Sequence, residues 1–305
     1  MQQFCNLCGN AIVSRYFLYQ RARAEGSKGL IVCERCRETA PRCAVCRVPM
    51  KGNPEGEQLC PACAVQTPRC AACHCAIYAS YFEDPVSGAI YCEACQNRGP
   101  RCGVCGCAAG VGARLLHDGR HICASCDSTA VYEPGRAEEL YRHVIQLAEQ
   151  TLGLRVNLLP LLLLVDRGQM LSALRQAGLV EIDHPDLVFG LYIRRGRRRV
   201  IYAESGLPQI MLIQVLAHEH AHAWQGENCP LLHDLLPYEG FAEWVAYKTL
   251  MAMRAVKKAA LMEARGDLYG QGLRMLLDIE RTRGPAGVIC ICRQAFVRRP
   301  TGNRT

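Results

Sequence analysis

The amino-acid sequence, 305 residues long, lacks any long apolar segment. Its longest apolar run covers only eight residues, 158–165, and contains Pro160. A run of this length is too short for a helix that crosses a bilayer. The first five residues, MQQFC, do not begin the apolar core of a secretory signal either. The sequence therefore predicts a cytoplasmic protein with no membrane partner.

Cysteine is almost absent beyond residue 127, because 18 of the 21 cysteines precede that position. Sixteen of these 18 form eight C-x-x-C pairs, which are separated alternately by long and short intervals. Each of the three short intervals is six residues long and ends in Pro-Arg before the next pair. Secreted disulfide frameworks rarely pair cysteines so regularly, whereas zinc modules do. The pattern indicates one zinc-binding unit that is used four times.

Two residues between paired cysteines allow a tight turn that directs both thiolates at one metal ion, and two such turns complete a tetrahedron. The constant short linker favours sharing between successive pairs, whereas a crossed arrangement, as in RING domains, would join the first pair with the third. His74 and His121 flank the pairs as alternative ligands. Closed sites of this kind are structural. The predicted ligand sets are Cys5, Cys8, Cys33 and Cys36; Cys43, Cys46, Cys60 and Cys63; Cys70, Cys73, Cys92 and Cys95; and Cys102, Cys105, Cys123 and Cys126.

The formal net charge of +8 does not indicate a nucleic-acid partner. Residues 1–130 carry 14 basic and 10 acidic side chains, and residues 131–305 carry 22 and 18. Each zinc ion held by four thiolates would have a net charge of about −2, so the first region would become mildly acidic. Few aromatic residues interleave the arginines, so base stacking is not expected either. The arginines concerned are those of 194–199 and the tail residues Arg298, Arg299 and Arg304.

Helix and strand periodicity begins beyond Val131. Within one predicted helix, His218 and His222 are four residues apart, so both imidazoles lie on one helix face and can share a zinc ion. Glu219 lies beside the open metal position, where it can take a proton from water. This H-E-x-x-H pattern predicts the catalytic centre of a metallopeptidase. The predicted helices cover 136–152, 170–177, 208–225 and about 238–253, and the predicted strands cover 155–166, 187–194 and 199–203.

The last of these helices opens with YEGFAEW at 238–244. The text Glu-Gly-Phe-Ala resembles the aminopeptidase-N-like branch of the zincins that use a glutamate ligand. In that branch the first Glu binds zinc, so the resemblance implies this role for Glu239. Glu243, one turn further, would either orient a zinc-binding histidine or lie on a solvated helix face. Three further side chains are candidates for stabilising the transition state, and the sequence does not choose among them: His233, Tyr247 and Tyr269.

A second resemblance covers residues 136–255. The runs Ile201-Tyr202, Ser205-Gly206-Leu207-Pro208, Leu216–Trp224 and Glu239-Gly240 resemble the plant "DA-one" family of LIM-domain zinc peptidases. The resemblance implies zinc modules joined to a C-terminal peptidase that cleaves regulatory proteins. Plant members also have ubiquitin-interacting helices ahead of the modules, whereas this sequence begins in the first cysteine pair, so only the resemblance suggests ubiquitin as a partner. LIM domains join their zinc modules by two residues, so the six-residue linkers here indicate LIM-like or zinc-ribbon-like modules.

We therefore expect an α+β fold. Tandem LIM-like or zinc-ribbon modules, each a small β hairpin around zinc, would precede a mainly helical zincin-like peptidase domain with a small sheet. The predicted modules cover 1–39, 40–66, 67–98 and 99–130, and the predicted peptidase domain covers 131–305. Five zinc ions are expected, of which one is catalytic and four are structural.

The function predicted is that of a zinc endopeptidase acting on protein substrates. Its zinc modules would bind a partner or substrate, or cover the catalytic cleft. The strand over 199–203 is predicted to be an edge strand that binds extended substrate. The alternative is a non-enzymatic adaptor that binds protein or nucleic acid through its zinc modules, with a degenerate zincin scaffold. The intact Glu219 argues against the alternative, because a scaffold has no need of a catalytic base.

Overall fold

The computed structural model describes residues 2–19, 29–52, 58–85, 88–179, 188–230 and 232–294. Two compact units divide the chain, Met1–Pro100 and Arg101–Thr305. The first unit contains three of the cysteine repeats, and the second contains the fourth repeat together with the helical region. The tail arginines Arg298, Arg299 and Arg304 lie outside the described residues.

The repeats of the first unit each combine a cysteine turn with a short helix. In the first and third repeats the chain between the two cysteine pairs forms an antiparallel hairpin. The first hairpin pairs β1 (Tyr16–Tyr19) with β2 (Leu30–Cys33), and the second pairs β3 (Tyr81–Glu83) with β4 (Ile90–Cys92). The helices are α1 (Glu34–Thr39), α2 (Pro61–Gln66) and α3 (Glu93–Arg98). Each helix begins directly after the third cysteine of its repeat, whose extended backbone forms the N-cap.

The second unit opens with the fourth repeat and continues into a helical region with a small sheet. Its first elements are β5 (Arg114–Leu115), β6 (His121–Ile122), α4 (Ala124–Asp127), β7 (Ala130–Val131), α5 (Pro134–Leu152), β8 (Leu161–Val165) and α6 (Arg167–Gln176). They are followed by β9 (Gly190–Arg195), β10 (Arg198–Glu204), β11 (Leu207–Pro208), α7 (Gln209–Asn228), α8 (Leu235–Ala252), α9 (Val256–Glu263) and α10 (Leu268–Gln294). Helix α10 is kinked at Gly284, which has a left-handed φ of 65° and precedes Pro285.

The strand predicted over 199–203 is not an edge strand, which corrects the sequence expectation. Strand β10 is the middle strand of the order β8-β10-β9, parallel to β8 and antiparallel to β9. A tight turn at Gly196, whose φ is 57°, folds β9 back along one side of β10. The crossover through α6 places β8 on the other side. Strand β9 is therefore an end strand of the sheet, and it is the end strand that packs against α7.

The core of the second unit lies where α5, α7, α8 and α10 pack together. Helix α7 is buried on most of its circumference, and its buried residues include the polar side chains of Glu219, His220, His222 and Gln225. At the α7–α8 contact the ring of Trp224 stacks on that of Phe241, which contacts the ring of Trp244 at a tilt, and each of the three residues is at most 1% exposed. The core therefore surrounds the helix on which the sequence placed His218, Glu219 and His222.

The mixed α+β class, with small antiparallel hairpins and four-cysteine clusters ahead of a helical region, is confirmed. The predicted helices 136–152 and 208–225 correspond to α5 and α7, and the predicted strands 187–194 and 199–203 to β9 and β10, each shifted by a few residues. Residues 180–187, where the first of these strands was predicted to begin, are not described. None of the described helices is long and apolar enough to cross a membrane.

Candidate metal centres

Sixteen cysteines gather into four clusters, and each cluster contains two successive C-x-x-C pairs as the sequential scheme expects. In each cluster a sulfur of the first pair and a sulfur of the second lie 3.7–3.9 Å apart: Cys8–Cys33, Cys46–Cys60, Cys73–Cys92 and Cys105–Cys123. All four sulfurs of a cluster lie within 4.8 Å of one another. A tetrahedron with zinc–sulfur bonds of about 2.3 Å has edges of about 3.8 Å. The sulfurs are therefore placed as a tetrathiolate zinc site requires. These four clusters consist of cysteine alone, without His74 or His121.

The four clusters share one backbone design around the first cysteine. The residue after the second cysteine has a left-handed φ in every repeat: Gly9, Arg47, His74 and Gly106. Its N–H donates to the carbonyl of the first cysteine at 2.8–3.0 Å, which closes the turn. The arginine of the repeated Pro-Arg text donates to the carbonyl of this same residue in three repeats, at 2.8–3.4 Å, from Arg42, Arg69 and Arg101. The recurring text thus fixes the turn that aims the sulfurs.

Backbone donors also favour the thiolate form of the first cysteine. The N–H of the third cysteine points at the sulfur of the first at 3.3–3.4 Å in all four repeats. Burial alone would raise the thiol pKa, but these N–H groups, together with the backbone donors of the first cysteine turn and the second cysteine, lower the pKa of Cys5, Cys43 and Cys70 to about 6. Metal binding needs the thiolate, so the backbone prepares each cluster for a cation.

A different set of donors meets between α7 and α8. The Nε2 atoms of His218 and His222 are 3.0 Å apart. Oε2 of Glu239 lies 3.3 Å from His218 Nε2 and 3.5 Å from His222 Nε2. Bonds of about 2.0–2.1 Å to a tetrahedral zinc ion imply ligand separations of about 3.3 Å. Two imidazole nitrogens and one carboxylate oxygen therefore converge as three ligands of one metal ion would.

Glu219 lies on α7 between His218 and His222, beside the candidate metal centre that these histidines form with Glu239. Glu219 is only 7% exposed. Burial raises the pKa of its carboxyl and the nearby Glu239 carboxylate adds to this, whereas the two histidines oppose the shift. Strand β9 lies directly against this side chain, because a Cβ at Gly190 would be 2.8 Å from Glu219 Oε1. Glycine at 190 therefore leaves the carboxylate its space.

Each of the two converging histidines, His218 and His222, has a partner at its other ring nitrogen. Oε1 of Glu243 lies 3.5 Å from His218 Nδ1, and Arg265 lies 3.5 Å from the same carboxylate oxygen. Of the two readings of Glu243, the structure places it beside the histidine and buries it, with 5% of the residue exposed. Such partners fix the tautomer and the orientation of a metal-binding imidazole.

Gln225 is the partner of His222, a contact that was not predicted from the sequence. Its Oε1 lies 2.8 Å from His222 Nδ1, and its Nε2 donates to the backbone carbonyl of Tyr238 at 2.8 Å. A carbonyl can only accept, so the amide nitrogen must face Tyr238 and the amide oxygen must face the imidazole. His222 Nδ1 therefore carries a hydrogen, and the lone pair of its Nε2 is directed at the metal centre. The available signal was the spacing, because Gln225 lies three residues after His222 on the same helix face.

Two tyrosines line the metal centre. The ring of Tyr238 stacks on His222 with centroids 4.7 Å apart, and the ring of Tyr269 lies 6.0 Å from that of His218. Burial raises the pKa of Tyr269 to about 12, and Glu239 adds to the effect, so its hydroxyl keeps its proton. The other candidates for stabilising the transition state lie elsewhere: Tyr247 packs on the hydrophobic core, and His233 is exposed.

His220, between the two zinc-facing histidines in sequence, faces away from the metal centre. Its Nδ1 lies 3.1 Å from the hydroxyl of Tyr141 on α5. Burial lowers the pKa of His220 to about 4, so the side chain is neutral. It therefore belongs to the packing between α5 and α7.

Gly240 sets how closely α8 can approach α10. A Cβ at Gly240 would lie 2.7 Å from the carbonyl carbon of Gly272, and one at Gly272 would lie 2.6 Å from Gly240 Cα. Neither position can carry a side chain without moving a helix, since real Cβ atoms do not approach backbone so closely. The close crossing brings Tyr269, near the start of α10, next to His218.

Comparison of the chain with protein-family models, with curated proteins and with solved structures found no match.

Proposed function

We propose that the chain is a zinc-dependent peptidase whose metal centre is His218, His222 and Glu239 and whose catalytic base is Glu219. The observation that carries the proposal is the convergence of three donors at separations of 3.0–3.5 Å. Beside them lies the buried carboxylate of Glu219, which is not one of the three donors. Three protein ligands with an open fourth position distinguish catalytic zinc from structural zinc. The four cysteine clusters, by contrast, have four donors each and no open position.

When bound, zinc would supply a Lewis acid that acidifies a water molecule and polarises the substrate carbonyl. Glu219 takes the proton from the attacking water as the new carbon–oxygen bond forms. It then delivers this proton to the leaving amine nitrogen as the carbon–nitrogen bond breaks. Burial raises the pKa of the Glu219 carboxyl, which brings its proton affinity closer to that of a base working near neutral pH.

Tyr269 is the side chain that we assign to the developing oxyanion. Its hydroxyl retains a proton, and its ring lies against that of His218. A hydroxyl donor aimed at the position of developing charge stabilises the transition state more than the ground state. The position of Arg265, 4.9 Å above the Tyr269 ring, keeps this side chain in place.

Extended protein segments are the substrates that this architecture favours. Strand β9 is the end strand of the three-stranded sheet and lies directly against Glu219. A substrate segment that adds to the outer edge of β9 would place its backbone carbonyls near the metal centre. This assignment replaces β10, which is paired on both sides.

We assign one of two roles to the zinc modules: they recruit a protein partner or substrate, or they cover the catalytic cleft. Nucleic acid is disfavoured as a partner because three of the five arginines of the β9–β10 hairpin donate to backbone carbonyls. Arg194 donates to Gly226, Arg195 to Gln176, and Arg199 to Gly196. Ubiquitin remains a partner that only the family resemblance suggests, and a cytoplasmic location is proposed from the reduced cysteine clusters.

The decisive experiment compares Glu219→Gln with the wild-type full chain. Glu219→Gln should retain its zinc, because Glu219 is not a ligand, while cleavage of an unfolded protein substrate falls by about 10²–10⁴-fold. The matched control is Glu227→Gln on the same helix, because Glu227 contacts Asn157 and Leu158 and not the metal centre. Zinc is counted by elemental analysis, and cleavage is followed with a labelled unfolded protein and a peptide library. Cleavage by Glu219→Gln at the rate of the control, or no cleavage by zinc-loaded wild type, would refute the proposal.

A further inference from the structure

The fourth cysteine repeat differs from the others at two positions that touch each other. A Cβ at Gly103, inside the first cysteine turn, would lie 3.2–3.3 Å from the aliphatic stem of Arg120. The N–H of Gly103 also donates to the carbonyl of His121 at 2.8 Å. The cysteine turn of the fourth cluster therefore forms the support on which the Arg120 side chain lies. The corresponding residues of the other repeats are Asn6, Ala44 and Ala71 for Gly103, and Leu30, Glu57 and Ala89 for Arg120.

Arg120 connects this cluster to a buried network of four charged residues, of which Arg120 is one. Its guanidinium lies 2.8 Å from Glu204 and 2.9 Å from Asp118. Arg167 completes the network, with Nε 2.6 Å from Glu204 and its backbone N–H donating to Asp118 at 3.0 Å. The four side chains are at most 10% exposed, and their two positive and two negative charges balance. Removing one member of such a network leaves a buried charge without compensation.

The same contacts reach the start of the helix that bears the metal-centre donors. Arg120 also donates to the carbonyl of Ser205 at 2.9 Å, in the turn that precedes α7. The chain leaving α4 then pairs with that turn through β7 and β11. The first N–H of α7, at Gln209, donates to the carbonyl of Thr129 at 2.8 Å, three residues after Cys126. A backbone group next to the fourth cluster therefore caps α7, whose N-cap residue Pro208 makes no side-chain cap.

We propose that the fourth cysteine cluster is a structural part of the metal-centre unit, and that Arg120 is the positioning residue that transmits its metal occupancy to α7. Metal binding by Cys102, Cys105, Cys123 and Cys126 holds the turn under Arg120, and Arg120 holds Glu204 and Ser205 at the entry of the helix. Loss of this metal loosens α7 and weakens zinc binding by His218 and His222. The other three clusters, in the first compact unit, do not have this effect. The proposal concerns the centre of the proposed peptidase but is measured without cleavage, so the two can fail separately.

The first test compares Cys105→Ser with Cys73→Ser in the full chain. Both change the second cysteine of a cluster, in the fourth and third repeats respectively. Hydrogen exchange of the α7 amides should become faster by about tenfold, or about 1.4 kcal/mol, in Cys105→Ser and stay unchanged in Cys73→Ser. Zinc at the α7–α8 centre should be lost to a chelator at a lower concentration in Cys105→Ser alone. Equal protection of α7 in the two variants would overturn the proposal.

The second test separates transmission by Arg120 from general unfolding of the unit. Arg120→Met leaves the four cysteines intact, and Arg167 still pairs with Glu204. This variant should keep the zinc of all four clusters yet show faster α7 exchange and weaker zinc binding at the α7–α8 centre. Arg120→Lys, which restores the charge but not the contact with both Glu204 and Ser205, should recover part of the loss. An Arg120→Met chain with wild-type exchange and wild-type zinc affinity would contradict the proposal.

Discussion

Gln225 should control zinc affinity at the α7–α8 centre although it does not face the metal position. It is 1% exposed, and its amide joins the ring of His222 to the carbonyl of Tyr238, the residue before Glu239. One side chain thus sets the tautomer of one ligand and ties down the helix turn that presents another. Gln225→Leu removes both contacts while keeping a side chain of similar size.

The expected losses of zinc affinity and of folding free energy follow from the contacts that Gln225→Leu removes. Loss of an outer partner of a zinc-binding histidine typically weakens metal affinity by about 10–100-fold, which corresponds to about 1.4–2.8 kcal/mol. The buried Nδ1–H of His222 would be left without its partner, at a cost of about 1–3 kcal/mol of folding free energy. Gln225→Glu keeps an acceptor for His222 but loses the donor to Tyr238, so it should retain more zinc than Gln225→Leu.

Zinc retention by the full chain, dialysed against increasing chelator and measured by elemental analysis, is the assay. Thermal unfolding without chelator reports the cost to the fold separately. Asn228→Ala is the matched control, because Asn228 is an amide on the same helix that contacts the Trp224 carbonyl and Arg293 instead of a ligand. If Gln225→Leu loses zinc at the same chelator concentration as Asn228→Ala, Gln225 does not orient His222 and the assignment is wrong.

Two further predictions concern the helices that form the centre. Gly240→Ala should destabilise the second unit by about 1–3 kcal/mol, because the new Cβ meets the Gly272 backbone. Thermal unfolding should show no such loss for Gly135→Ala, since a Cβ at Gly135 has open space. Equal melting temperatures for the two variants would refute the close contact between α8 and α10. Glu239→Ala should lose zinc from the α7–α8 centre while the four cysteine clusters stay loaded, whereas Glu243→Gln should only weaken that site, by about 10–100-fold. Elemental analysis under chelator distinguishes these outcomes, and unchanged zinc in Glu239→Ala would remove Glu239 from the ligand set.

The parts of the molecule that short spacing controls could be predicted from the sequence. Two cysteines separated by two residues face one point because the turn between them is short. Two histidines four residues apart face one point because a helix has 3.6 residues per turn. Grouping the sixteen cysteines, and placing His218 and His222 on one helix, therefore required only local geometry.

The parts that depend on contacts between distant segments could not be predicted in this way. Strand β10 was expected at an edge because the sequence shows which residues are extended but not which strands flank them. The ion pair between Arg120 and Glu204 joins residues 84 positions apart, and neither residue belongs to a motif. This pair crosses the boundary that was expected near residue 131. The fourth repeat has Gly103 and Arg120 at positions where the other three repeats have neither glycine nor arginine.

The two kinds of metal site differ in what brings their donors together. Each cysteine cluster is accompanied by few buried apolar side chains; the second repeat, for example, has Met50 and Leu59 beside its cysteines. A module of this size cannot bury enough apolar surface to fold alone, so the metal supplies much of its folding free energy. The donors between α7 and α8 are instead positioned by Trp224, Phe241 and Trp244 at the helix contact. The core of the second unit therefore positions these donors without relying on a metal, as the proposed catalytic site would require.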